Sequence, residues 1–124
     1  MPEKGVVVLA HGSREKSFKK EFSELTLMLQ QTLRSVIVQK AHLRFGEPDF
    51  MTAVDILVDS GVETVLVVPL FVFPGKHILT DVPDLIGEAR EKHTRIEFVQ
   101  QGCLASGRDF SRLISARIRE YLSR

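Results

Sequence analysis

The sequence alternates four short segments rich in β-branched residues with four longer segments of helical periodicity, and this alternation constrains the fold more than any other feature. The short segments predict strands and are Gly5–Ala10, Val36–Arg44, Thr64–Val68 and Ile96–Val99. The first and third are continuously apolar, which is typical of central strands in a parallel sheet that is covered on both faces.

Apolar residues that recur every three or four positions predict a helix after each strand. The first three stripes are Phe18, Phe22, Leu25, Leu29 and Leu33, then Phe50, Val54, Leu57 and Val58, and then the segment Val82–Lys92. The fourth is Phe110, Leu113, Ile114, Ile118 and Leu122, preceded by a predicted capping box at Ser106 and Asp109.

The alternating order of strands and helices predicts an α/β fold, a single three-layer domain over residues 1–124. We expect a four-stranded parallel sheet with right-handed crossovers and helices on both faces.

Composition excludes several classes of function. The chain has 124 residues with 17 Lys and Arg against 16 Asp and Glu, which argues against a nucleic-acid binder that works by bulk charge. The single cysteine, Cys103, excludes an intramolecular disulfide and a cysteine-based zinc site. The longest apolar run, Val65–Pro74, is too short to span a membrane, and the first residues do not resemble a signal peptide. We therefore expect a cytoplasmic protein that binds neither nucleic acid nor a membrane.

Two histidines follow the predicted central strands. In an open α/β sheet, ligands bind beyond the carboxyl ends of the strands, near the point where strand order reverses. His11 follows the first strand and His77 the third, so we expect both on neighbouring loops at one edge of the sheet. Neutral imidazoles bind Fe, Co, Ni, Cu and Zn, so the pair could form half of a metal site. A purely structural role remains open, and tight turns would require Gly12 and Gly75 in any case.

The segment after the third strand is too apolar for an ordinary exposed loop. Leu70–Phe73 either packs under the third helix or meets a flat hydrophobic ligand or another chain. Cations near the same edge could attract a polyanionic ligand or could simply be solvated; they are Arg14, Lys16, Arg44 and Lys76.

Two sequence motifs lie at this edge of the predicted sheet, and the pair indicates a protein family more specifically than either motif alone. The first is His11-Gly12-Ser13-Arg14; the second is Pro69-Leu70-Phe71-Val72-Phe73-Pro74-Gly75-Lys76-His77, followed by Asp81-Val82-Pro83. Together they resemble the CbiX-type sirohydrochlorin chelatases, class II tetrapyrrole chelatases of the cobalamin, siroheme and coenzyme F430 pathways. The resemblance covers nearly the whole chain, including Glu47-Pro48, and the length is similar to that of the small, single-domain form.

The resemblance implies that His11 and His77 are the metal-binding and catalytic pair. For a sirohydrochlorin substrate we expect the binding residues to be Ser13, Arg14, Arg44, Phe73 and Lys76, with the cations on its carboxylates and the apolar loop on its macrocycle face. The implied reaction inserts a divalent metal, Co²⁺ first with Fe²⁺ and Ni²⁺ as alternatives, into sirohydrochlorin. No ATP and no tightly bound cofactor are expected, and the chain has no P-loop motif. The implied partners are sirohydrochlorin, the metal ion and a second copy of the chain, with the dimer contact near Leu70–Phe73 or the third helix.

Arg44 departs from the pattern that the resemblance implies. Many relatives carry a glutamate there, three residues before Glu47, and an arginine can neither bind a metal nor accept a proton. Arg44 could instead hold a substrate carboxylate through two parallel hydrogen bonds. His42, two residues earlier on the same strand face, could replace part of the lost function. Of these two roles for His42, we favour the purely structural one, in which it is a hydrogen-bonded histidine of the strand.

Two other classes of function compete with a chelatase. A non-catalytic carrier of tetrapyrrole or metal would have the same fold, and Arg44 is compatible with it. A phosphotransfer enzyme could use His11 as nucleophile, but histidine phosphatases place an arginine before the His-Gly pair, where this chain has Ala10.

Overall fold

The computed structural model describes residues 4–124 and contains one parallel four-stranded sheet. The strands are β1 (Lys4–Ala10), β2 (Ile37–His42), β3 (Thr64–Pro69) and β4 (Glu97–Gln100), in the spatial order β2-β1-β3-β4. The predicted sheet is therefore confirmed. The strand bounds differ slightly from the predicted ones. β2 begins one residue later and ends at His42 rather than Arg44, β4 is displaced by one residue at both ends, β1 begins one residue earlier and β3 ends one residue later.

A helix follows each strand, as the periodicity predicts. The helices are α1 (Lys16–Thr32), α2 (Phe50–Asp59), α3 (Val82–Lys92) and α4 (Arg108–Leu122). A π-helical turn, His77–Asp81, leads directly into α3, and a 3-10 turn, Leu104–Ser106, precedes α4. Among residues 4–124, no helix is long and apolar enough to cross a membrane.

The central strand β1 is covered on both faces, which explains its continuous apolar run. Val7 and Leu9 belong to the core formed with α2 and α3, whereas Val6 and Val8 pack toward α1 and its buried Phe22. Alternate side chains of one strand thus enter two cores.

Helix α4 forms where predicted, but its apolar stripe is not buried. None of its residues is buried, and Leu113, Ile114, Ile118 and Leu122 are 41–72% exposed. The predicted capping box is wrong. The Ser106 hydroxyl donates to the Cys103 carbonyl at 2.7 Å, and Gly107 takes the N-cap position without a side-chain hydrogen bond.

The turn after β1 is held tightly against the end of β2. The Leu43 amide donates to the Ala10 carbonyl and the Arg44 amide donates to the His11 carbonyl, each at 3.0 Å. Gly12 has φ +101°, and a Cβ there would lie 1.8 Å from the Arg44 carbonyl oxygen. Glycine is therefore required at position 12. Gly75 has no such requirement, since its φ is not positive and nothing lies within 4 Å of a Cβ placed there.

Candidate active site

The two predicted histidines meet at the carboxyl edge of the sheet, where strand order reverses between β1 and β3. The ring centroids of His11 and His77 are 4.7 Å apart, with 66° between the ring planes. Both side chains are partly exposed. His11 lies in the turn after β1, as predicted, but His77 is the first residue of the π-helical turn rather than a loop residue.

His77 is held on two sides. Its Nδ1 lies 2.6 Å from Oδ2 of Asp81, and the ring of Phe71 stacks on it with centroids 5.8 Å apart and 18° between planes. The π-helical turn provides this geometry, because the Val82 amide reaches back five residues to the His77 carbonyl. Phe71, one of the two aromatic residues of the Leu70–Phe73 loop, thus packs directly against a histidine of the candidate site.

His11 is held more loosely and borders a cavity. Its Nδ1 is 3.3 Å from the carbonyl oxygen of the adjacent Gly12, and its ring meets Phe71 edge-on at 6.5 Å. An open cavity of about 430 Å³ begins at this histidine. Its walls are largely apolar and come from Ala10, His11, Gly12, Phe18, Glu21, Phe22, Leu25 and Leu70. The cavity offers a hydrophobic surface directly beside an imidazole.

Arg14 and Arg44 come together on an aromatic side chain that the sequence analysis missed. The guanidinium carbons of Arg14 and Arg44 lie 4.4 and 5.0 Å from the centroid of the Phe45 ring. Phe45 is 39% exposed and has φ 59°, a left-handed conformation that is rare for an aromatic residue. In the sequence, the role of Phe45 is indicated only by its position between Arg44 and Gly46. Hydrophobic periodicity could not predict that its ring would lie against two arginines.

Three other predicted residues lie at this edge without contacting the histidine pair. The Ser13 hydroxyl accepts from the Glu15 amide at 3.1 Å, which is a local turn contact. Lys76 is exposed, and Phe73 is 69% exposed. For these three, residues 4–124 show no hydrogen bond or ring contact to His11 or His77.

His42 has the surroundings of a structural histidine. It is only 4% exposed, its Nδ1–H donates to the Pro48 carbonyl at 3.0 Å, and the rings of Phe18 and Phe22 meet it edge-on. It borders a different cavity, of about 300 Å³, beside Lys19, Lys40, Gly46 and Glu47.

Any metal at this site would be held by few protein ligands. Over the described residues 4–124, no group of three or more His, Cys, Asp or Glu side chains could hold a metal ion. The two imidazoles are the available donors, since the carboxylate of Asp81 already accepts from His77. Two protein ligands leave coordination positions open, unlike a closed four-ligand structural site.

Comparison with known proteins identifies the family. The CbiX family model matches residues 5–121. The chain is 29% identical over 119 residues to the chloroplastic sirohydrochlorin ferrochelatase of Arabidopsis thaliana, covering 96% of this chain and 53% of that protein. It is 27% identical over 118 residues to the sirohydrochlorin cobaltochelatase of Priestia megaterium, covering 94% of this chain and 38% of that protein. The chain thus spans about half of the first relative's length and less of the second's.

A solved structure matches over nearly the full length of both chains. It is a putative cobalamin (vitamin B12) biosynthesis CbiX protein from Marinobacter aquaeolei VT8, with a TM-score of 0.83 and 25% identity. The match covers 97% of this chain and 98% of that one. The family match extends over nearly all of the sequence, and the same fold recurs in this structure, so the chain belongs to the CbiX family.

Proposed function

We propose that this protein inserts a divalent metal into sirohydrochlorin without ATP, with Co²⁺ as the first candidate and Fe²⁺ and Ni²⁺ as alternatives. The observation that carries the proposal is the 4.7 Å approach of the His11 and His77 rings beside an apolar cavity. The sirohydrochlorin ferrochelatase and cobaltochelatase among the relatives support the substrate and the metals. Imidazole ligands discriminate little among Fe, Co and Ni, so metal supply contributes to the choice.

The histidine pair would hold the metal weakly enough to pass it on. Insertion requires that the metal lose water, that the macrocycle present its nitrogen lone pairs, and that two pyrrole N–H protons leave. Two imidazoles at an open edge leave positions for water and for the incoming nitrogens. An imidazole that has released the metal can then accept a pyrrole proton.

The rest of the edge suits a flat, polyanionic macrocycle. The largely apolar cavity, which includes Leu70, would lie against the macrocycle face. Arg14 and Arg44, stacked on Phe45, would bind peripheral carboxylates. Ser13, Lys76 and the exposed Phe73 lie at the same edge and complete the proposed binding surface.

A non-catalytic carrier is the second candidate. The arginine at position 44 favours it, because an arginine can neither bind a metal nor accept a proton. A carrier would bind sirohydrochlorin or metal saturably without raising the insertion rate above that of the protein-free reaction.

We also propose that the protein acts as a homodimer. A domain of this size leaves much of its surface exposed, and four apolar side chains of α4 are 41–72% exposed: Leu113, Ile114, Ile118 and Leu122. A second copy would cover that surface.

Visible absorption of sirohydrochlorin tests the role of the histidines. Co²⁺, Fe²⁺ and Ni²⁺ are added in turn to the wild type and to the His11→Ala and His77→Ala variants. We expect each variant to lose at least about 100-fold in insertion rate, the scale of a lost proton-transfer group. The matched control is His93→Ala, at the C-terminal end of α3 and the opposite edge of the sheet, which should keep the wild-type rate. Wild-type rates in both active-site variants would show that the assignment is wrong.

A further inference from the structure

The two imidazoles of the site are held in different ways. The Nδ1 of His77 is 2.6 Å from Oδ2 of Asp81, a short distance for a hydrogen bond between side chains. Among the described residues, the contact of the His11 Nδ1 is with the carbonyl oxygen of the adjacent Gly12, at the longer distance of 3.3 Å. The carboxylate of Asp81 is 36% exposed and the side chain of His77 is 40% exposed, so the pair lies at the open edge rather than in the core.

The bond to Asp81 determines which nitrogen of His77 is free. An ionised carboxylate only accepts hydrogen bonds, so Nδ1 of a neutral His77 must carry the hydrogen. The lone pair is then on Nε2, which is the nitrogen available to a metal. The ring of Phe71, stacked at 18° on His77, further restricts rotation of the imidazole.

We propose that Asp81 is a positioning residue that keeps His77 in the Nδ1–H tautomer and aims its Nε2 lone pair at the divalent metal substrate. His11, whose Nδ1 meets a backbone carbonyl at 3.3 Å and not a carboxylate, is the more adjustable ligand and releases its bond as the metal enters the macrocycle. This inference rests on the proposed function, because it concerns how the same site holds its metal. Carboxylate partners of metal-binding histidines typically contribute 10- to 100-fold in affinity or activity.

The tautomer of His77 can be measured without metal. Long-range ¹H–¹⁵N correlation spectra are recorded at about pH 8.5, where imidazoles are ordinarily neutral. We expect the wild-type His77 to be the Nδ1–H tautomer. In Asp81→Asn the amide can also donate to Nδ1, so the Nε2–H form should become substantially populated. Asp84→Asn, which removes a carboxylate three residues further along α3, should leave the tautomer unchanged. A wild-type His77 in the Nε2–H form, or an unchanged ratio in Asp81→Asn, would overturn the proposal.

Co²⁺ titration then connects the tautomer to metal binding. We expect Asp81→Asn to weaken Co²⁺ binding by about 10- to 100-fold while the KM for sirohydrochlorin stays near the wild-type value. Asp81→Glu, which keeps the carboxylate, should recover part of the loss.

The same titration separates failure of this inference from failure of the proposed function. If His77→Ala leaves Co²⁺ affinity unchanged, His77 is not a ligand and the proposed function is contradicted. If His77→Ala weakens binding but Asp81→Asn does not, only the positioning role of Asp81 is wrong.

Discussion

Arg44 is the residue at which the resemblance to the family led us to expect a glutamate. Its guanidinium stacks on Phe45 together with that of Arg14, which places two positive charges on the segments that follow β1 and β2. We therefore favour a role for Arg44 in binding a substrate carboxylate. The alternative is that position 44 has lost a catalytic carboxylate and that Arg44 has no role of its own. The cluster could not be predicted from sequence, because it depends on the left-handed backbone of Phe45.

Arg44→Ala should raise the apparent KM for sirohydrochlorin by about five- to tenfold, since it removes one exposed charge-assisted contact. Co²⁺ affinity should stay unchanged, because an arginine does not bind the metal. Steady-state kinetics check this, with Arg34→Ala after α1, at the other edge of the sheet, as the matched control. An increase in kcat for Arg44→Glu would contradict the account and indicate a lost catalytic carboxylate instead.

Gly12 and Gly75 stand beside the two histidines, but only one of them is required by the backbone. A Cβ at position 12 would collide with the Arg44 carbonyl, whereas position 75 is open. Gly12→Ala should therefore lower the free energy of unfolding by about 2–4 kcal/mol. Gly75→Ala should change it by less than about 0.5 kcal/mol. Urea denaturation measures both, and equal effects would show that the turn after β1 is not constrained as described.

Strand β1 was predictable from the sequence because its apolar run reflects burial on both faces. Val6, Val7, Val8 and Leu9 face two cores in alternation, so no polar residue interrupts β1. The π-helical turn was not predictable, since its five-residue hydrogen bond has no periodicity of its own. The predicted capping box was wrong because the Ser106 hydroxyl donates to the Cys103 carbonyl in the 3-10 turn before α4 and does not cap the helix.

Helices α2 and α3 are joined by an ionic contact away from the active site. Asp55 accepts from Lys92 and from His93, each at 2.8 Å. The hydrogen bond from Lys92 is the largest cause that lowers the pKa of Asp55, and His93 adds to it, whereas desolvation opposes both. A lowered pKa means that the contact stabilises the fold above the ordinary aspartate pKa of about 3.9, and that the stability is lost as pH falls through the folded value.

Asp55→Asn should thus lower the free energy of unfolding at pH 7 by about 0.2–1 kcal/mol, the range of partly exposed ion pairs. The difference from the wild type should shrink as the pH is lowered below about 4 and the carboxylate is protonated. Urea denaturation over a series of pH values measures it, with the exposed Glu88→Gln on α3 as control. A difference that stays constant down to pH 2.5 would contradict the role of the Asp55 charge.

In a single copy of the molecule, helix α4 leaves its apolar side largely exposed to solvent. Its periodicity predicted a helix correctly, but periodicity alone does not say what covers the apolar side. Ile114, Ile118 and Leu122 recur every four residues and are 41%, 54% and 72% exposed. If the proposed homodimer forms, this stripe is its best candidate contact, in place of the loop or the third helix that the sequence suggested.

Ile118→Asp should dissociate the proposed dimer, because it puts a charge in the middle of the apolar stripe. Ala116→Asp, two positions away and on the opposite side of the helix, should leave the dimer intact. Sedimentation at about 50 µM, where a standard-sized interface commonly holds, distinguishes the variants. A monomeric wild type would refute the dimer, and a dimeric Ile118→Asp would refute the placement of its contact on α4.

In the proposed function, the paired imidazoles of His11 and His77 accelerate transfer of a metal into a bound tetrapyrrole. The most direct test mixes Co²⁺ with protein that already holds sirohydrochlorin and follows the visible absorption through a single turnover. We expect a rate of metal insertion that saturates with protein and exceeds the protein-free rate. The His11→Ala/His77→Ala double variant should fall to the protein-free rate while still binding sirohydrochlorin. A wild-type rate equal to the protein-free rate, with sirohydrochlorin bound, would contradict the account and identify a carrier.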